Sequence, residues 1–99
     1  MKVADFLRIG SDNAMRGKNL CEELHLTKRE LKRQIQLERL AGEAICASTA
    51  ADKAGYFLPA NKAELIDTIR SNRSREKELR RVRKALEKTC KRLFDEETA

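Results

Sequence analysis

The sequence predicts a mainly α-helical protein with one small β-hairpin, an α+β fold, on three observations. First, 40% of the 99 residues are apolar but only one Tyr and three Phe are aromatic, with one Pro and no Trp, so the core must be aliphatic. Second, Thr27 with Glu30 and Asn61 with Glu64 form capping-box patterns, each heading a run with helical apolar spacing. Third, between those helices two short apolar runs, Ala44-Ile45-Cys46-Ala47 and Tyr56-Phe57-Leu58, are bracketed by Gly42, Gly55 and Pro59.

Taken in order, residues 3–9 read as a short helix with Val3, Phe6, Leu7 and Ile9 inward, stopped by Gly10-Ser11-Asp12-Asn13. Leu20, Cys21 and Leu24 give residues 17–25 a helical face. The chain restarts at Thr27, and Leu31, Ile35, Leu37 and Leu40 carry a longer helix over 28–41, closed by Gly42 as its C-cap. With Leu31 and Ile35 inward, Lys28, Arg29, Lys32, Arg33 and Gln36 fall toward solvent. Residues 43–58 read as a hairpin, because Ile45 and Tyr56-Phe57 suit paired strands and the small residues between them suit a loop. The alternative is an Ala-rich helix continuing through 43–52.

From Asn61 the pattern is helical again, either continuous to Phe94 or broken at Ser71-Asn72-Arg73-Ser74. In its later half Leu79, Val82, Leu86, Cys90 and Leu93 recur at steps of three and four on one stripe. Arg73, Lys77, Arg80, Arg81, Lys84, Lys88 and Lys91 lie opposite. A seam that narrow packs on a single helix, in the same chain or in a second copy, so residues 75–94 are a candidate homodimer seam. Residues 1–60 are expected to form one domain and 61–99 a basic amphipathic helical segment that packs on it or dimerises.

The charge is +6, and it is unevenly placed. Residues 70–92 carry eleven basic side chains against three acidic ones, and residues 27–40 carry five against two. Two basic helices in one small chain point to a polyanion. Other classes are disfavoured. There is no apolar run long enough to span a membrane and no apolar signal-peptide core, so a cytoplasmic protein is expected. Three cysteines without a C-x-x-C spacing, and a single His, fit neither a zinc site nor a disulfide framework. No nucleophile elbow, phosphate-binding loop or H-E-x-x-H occurs, and His25 stands alone, so no enzymatic activity, cofactor or small-molecule ligand is expected.

Three stretches carry a family likeness: Asn13-Ala14-Met15-Arg16-Gly17-Lys18, the turn Leu24-His25-Leu26-Thr27-Lys28-Arg29-Glu30-Leu31, and the strands Gly42-Glu43-Ala44-Ile45-Cys46-Ala47 and Gly55-Tyr56-Phe57-Leu58. In this order they resemble a winged helix-turn-helix domain over residues 3–58, and in particular the small winged-helix proteins of phages and prophages. The family's turn has Gly where this chain has His25, and the loop between the strands has Lys53 as its one cation.

The resemblance implies a sequence-directed, double-stranded-DNA-binding transcriptional regulator, with residues 28–36 as recognition helix and 45–58 as wing. Arg29 and Arg33 would read guanine and Gln36 adenine, while Lys28 and Lys32 would reach guanine or phosphate. Lys18, Thr27, Ser48, Thr49 and Lys53 are the further DNA-binding candidates. The competing expectation is a protein-interaction winged helix, an inhibitor or adaptor of phage type acting through the C-terminal helix.

Overall fold

The computed structural model describes residues 2–49 and 54–94. It is mostly helical with a small antiparallel sheet, an α+β fold. Two 3-10 turns, Val3–Phe6 and Ser11–Asn13, precede α1 (Gly17–Leu24) and α2 (Lys28–Leu40). Strands β1 (Cys46–Ser48) and β2 (Gly55–Phe57) follow, then the long α3 (Lys62–Phe94). The chain divides into two compact units, Met1–Thr68 and Ile69–Ala99.

In the first unit the core is aliphatic, as the composition requires: Val3, Ala4, Leu7, Leu20, Leu31, Ile35, Ile45, Cys46 and Phe57 are buried. The hairpin pairs Cys46 with Phe57, Ala47 with Tyr56 and Ser48 with Gly55. Two backbone segments extend it. Met15 exchanges both of its backbone hydrogen bonds with Tyr56, at 2.8 Å each, and Leu58 bridges in parallel to Ile9. Gly55 makes the first of these approaches feasible. Its φ is +146°, and a Cβ there would run into the Met15 carbonyl.

The N-terminal segment departs from the expected helix over 3–9. The chain makes a single 3-10 turn and is already extended at Leu7. Arg8 then accepts from the Leu58 amide and Gly10 donates to the Leu58 carbonyl, each at 2.8 Å. Ile9, expected inward, is 64% exposed. So short a helix gains few internal hydrogen bonds, and sheet edge and side-chain acceptors outcompete it.

The main acceptor is Glu38. Its side chain is buried, and its two oxygens take the Val3 amide at 2.7 Å and the Ala4 amide at 2.9 Å, with the Gln34 amide nitrogen at 2.8 Å. Burial pushes its carboxyl up, but the bonds from Ala4, Gln34 and Val3 and the charge of Lys2 outweigh it and hold the group below the usual carboxylate range. Leu31 and Ile35 face inward as expected. The buried stripe is Leu31, Ile35 and Glu38, whereas Leu37 and Leu40 are 51% and 79% exposed. An acid thus takes the core-facing place on the last turn.

Glu64 repeats the device at α3. Asn61 caps the Glu64 amide at 3.0 Å as the sequence pattern requires, but the Glu64 carboxylate reaches Ala60 at 2.8 Å and Ser11 at 3.0 Å. These bonds hold it below the carboxylate range too. Four residues on, the buried Thr68 hydroxyl accepts from the Ala47 amide of β1.

The second unit is helix. α3 runs through Ser71-Asn72-Arg73-Ser74 without a break, so the continuous alternative holds. Within residues 69–94 every side chain is exposed except the half-buried Thr89. Glu76, Glu78 and Glu87 pair with Arg80, Arg81 and Arg83 at 3.9, 3.2 and 2.7 Å.

The Glu38 cap makes two predictions. Glu38→Ala should cost about 3 kcal/mol, since it strands buried backbone donors, and Glu38→Gln should cost nearly as much, because an amide turns a donor toward one of them. Urea unfolding at neutral pH measures both. Because Glu38 and Glu64 are held below their unfolded values, their contribution should be complete above the ordinary glutamate range and be lost as pH falls through the lowered folded values. The acid limb of the unfolding midpoint should therefore flatten in Glu38→Gln.

Candidate nucleic-acid interface

The turn between α1 and α2 is closed by His25, the residue that stands where glycine is usual. Its φ of 55° and ψ of 45° are left-handed, its amide and that of Leu26 both bond the Cys21 carbonyl, and Leu26 does so at 3.0 Å. This is the glycine-type end of a helix made with a side chain that tolerates the left-handed region better than most. At the far end of α2 the same geometry recurs with glycine: Gly42, at φ 106°, donates to Arg39, and Glu43 donates to Glu38.

Thr27 opens α2. Its hydroxyl oxygen accepts from the Glu30 amide at 3.1 Å, and the Glu30 carboxylate accepts from the Thr27 amide at 2.9 Å. The backbone bond from Thr27 holds Glu30 below the carboxylate range. The Glu30 carboxylate thus takes one amide of this terminus, and the candidate contacts lie in the side chains of the turns that follow.

Those side chains are Lys28, Arg29, Lys32, Arg33 and Gln36, all exposed. At 3.6 residues per turn they span an arc of about 140°, turned away from Leu31, Ile35 and Glu38. The electrostatics of this face follow from what the two acids of α2 are doing. Glu30 is committed to Thr27, and Glu38 to Val3, Ala4 and Gln34. Among the described residues no carboxylate pairs with Lys28, Arg29, Lys32 or Arg33, so four cations stand uncompensated. Arg39, the fifth cation of the helix, is not among them; its Nε donates to the Ile45 carbonyl at 2.8 Å.

The other candidates are scattered over the unit. Lys18 is exposed on the first turn of α1, Ser48 is half-buried at the end of β1, and Thr49 is exposed beyond it. Lys53 lies outside the described residues. The three thiols take no part: Cys46 is buried, Cys21 half-buried and Cys90 exposed, all free, and burial pushes the Cys46 thiol up. No group of three or more metal-ligating side chains occurs among the described residues. Among the described residues no helix is long and apolar enough to cross a membrane. The chain matches no protein-family model, no curated protein and no solved structure.

Sequence reasoning missed Glu38 as the group that ties α2 to Val3 and Ala4, the reach of the Glu64 carboxylate beyond its capping pattern to Ser11, and Met15 as a backbone partner of the hairpin. For Glu38 a signal exists in hindsight, since an acid at the third step of the Leu31-Ile35 stripe needs donors from elsewhere. Met15 gives no signal, because it acts through its backbone.

The turn is open to test. His25→Gly should change stability by less than about 1 kcal/mol, relief of the left-handed strain being offset by a freer unfolded chain. His25→Val, β-branched at the same φ, should cost about 1–2 kcal/mol. Thermal unfolding of both variants decides it.

Proposed function

We propose that this chain is a winged helix-turn-helix protein that binds double-stranded DNA in a sequence-directed way, as a transcriptional regulator of phage or prophage type. In this reading it works in the cytoplasm, where free thiols persist, and catalyses nothing. The observation that carries the reading is the uncompensated cationic face of α2. Its four cations and Gln36 sit on one side of a short helix whose acids are all engaged elsewhere. The α1–α2 turn, the paired strands β1 and β2 and the Met15 bridge to Tyr56 support the winged arrangement.

Duplex DNA suits this face better than duplex RNA does. The major groove of B-form DNA admits an α-helix, and the deep, narrow groove of A-form RNA does not. Arg29 and Arg33 are the side chains suited to guanine edges, Gln36 to adenine, and Lys28, Lys32 and Lys18 to guanine or phosphate. Thr27, Ser48, Thr49 and Lys53 are assigned to backbone contact at the edges of the footprint. A protein-interaction module acting through α3 is the second reading, favoured by the exposed Leu79, Leu86 and Leu93.

Fluorescence anisotropy with the chain's own upstream DNA and a scrambled duplex, over a range of salt, tests the proposal. A preference of about 10³ or more for the upstream duplex is expected, with affinity falling steeply as salt rises. Arg33→Ala should cost about 1–3 kcal/mol at the cognate site, and replacing Lys28, Arg29, Lys32 and Arg33 together by Ala should abolish specific binding. Unchanged affinity in the fourfold variant would overturn the assignment of α2. Absence of binding at low salt would leave the protein-interaction reading.

A further inference from the structure

We propose that the α3 segment Leu79–Leu93 pairs with the same segment of a second copy of this chain, parallel and in register, as a short two-stranded coiled coil. The sequence stripe leaves open whether the seam is covered from within the chain or by another copy; what selects the occupant and its orientation is the chemistry of the seam's rim.

α3 is one uninterrupted helix, and Leu79, Val82, Leu86 and Leu93 are 64%, 49%, 65% and 57% exposed along it. Spacings of three and four place Leu79, Leu86 and Leu93 at one core position of a heptad repeat and Val82 and the half-buried Thr89 at the other. Cys90, on the same stripe, falls just beside the core. Between Leu79 and Leu93 the stripe is narrow and the rest of the helix surface is polar apart from Ala85 and Cys90, which is the shape of a coiled-coil seam.

The positions flanking such a seam decide what fits on it. On one flank stand Glu76, Arg83 and Cys90, and on the other Glu78, Ala85 and Arg92. Within Leu79–Leu93 the rim carries Arg83 and Arg92 with the small Ala85 and Cys90, and Glu76 and Glu78 just ahead of it bring the flanks to neutrality, although the segment as a whole is strongly basic. The excess cations, among them Arg80, Arg81, Lys84, Lys88 and Lys91, lie on the far side. An acidic partner helix would find its complement on that far side and not along the apolar seam, whereas a neutral rim fits its own copy.

Orientation follows from the same residues. In a parallel, in-register pair each flank meets the opposite flank of its neighbour five residues on, which sets Glu78 against Arg83 and Ala85 against Cys90, both twice by symmetry. An antiparallel pair that opposes Val82 to Leu86 would match Glu78 with Arg92 but set Arg83 against Arg83, a like-charge contact that the parallel pair avoids. The intrahelical pairs of Glu78 with Arg81 and Arg83 with Glu87 are exposed and worth little, so exchanging them for cross-helix pairs is easy. Leu at the first core position with β-branched Val82 and Thr89 at the second also suits bundles of more than two helices; the repulsion among cationic outer faces, which grows with each helix added, holds the assembly at two.

This repulsion gives the pairing a signature opposite to that of DNA binding: added salt should strengthen it, since screening acts mainly between the two cationic outer faces. The proposal stands apart from the DNA reading, and its test contains no DNA. Sedimentation equilibrium of the full chain at tens of micromolar should give twice the 11.4 kDa chain mass, with association tightening several-fold between low and high salt. Leu86→Glu should yield monomer, Leu86→Ala, which keeps helix propensity, should weaken association about tenfold or more, and Lys84→Glu on the far side should not weaken it. In a Cys90→Ser background, Val82→Cys should cross-link to itself on oxidation, and Lys84→Cys should not. A monomer at all salts, a mass of four copies, a dimer indifferent to Leu86→Glu, or a dimer in which Val82→Cys fails to cross-link would each overturn the proposal.

Discussion

The carboxylate of Glu38 is the constraint on which the first unit depends. A buried charge survives only if its oxygens are satisfied, and here three donors converge on two oxygens from α2 itself and from the start of the chain. Because Val3 and Ala4 are bound through their backbone, their side chains are delivered into the core, where Val3 is fully buried. One interaction thus fixes the rotation of α2 about its axis. With Leu31, Ile35 and Glu38 inward, the side that carries Lys28, Arg29, Lys32 and Arg33 has to face out.

Acids in this chain do structural work, and that is why so modest a net charge leaves so strong a local one. Glu30 closes the start of α2, Glu38 holds the first 3-10 turn, Glu64 holds Ala60 and the second 3-10 turn, and Glu43 pairs with Lys2 at 3.0 Å. Each of these carboxylates is drawn to backbone donors or to Lys2, and among the described residues none forms an ion pair with the four outward cations of α2.

What was legible in the sequence is what is encoded locally. The Thr27–Glu30 box, the strands flanking Gly55, the Gly42 stop and the outward set on α2 each depend on residues a few positions apart, and each is found as read. What was not legible depends on partners far along the chain. Glu38 finds its donors more than thirty residues away, and Ile9 leaves its expected helical face because Leu58 offers it a backbone partner. Leu37 and Leu40 follow from local spacing as well: six positions beyond Leu31 and five beyond Ile35, respectively, they fall off the inward stripe, and they are exposed. The candidate interface was readable because solvated cations need no partner to be placed, and the residues that orient it were not.

α3 joins the two units as one helix, and its two parts are kept helical by different means. Its first turns are fastened by Asn61, Glu64 and Thr68 to groups of the first unit. Beyond Thr68 helix propensity and three exposed ion pairs remain, each pair worth only a few tenths of a kcal/mol. A seam filled by a second copy would supply the missing burial, at the cost of bringing two cationic outer faces together. A polyanion along those faces would remove that cost without touching the seam. Under the proposed pairing the two surfaces would be compatible: the seam would take its own copy, the basic back would take negative charge, and occupation of either would lower the free energy needed to occupy the other.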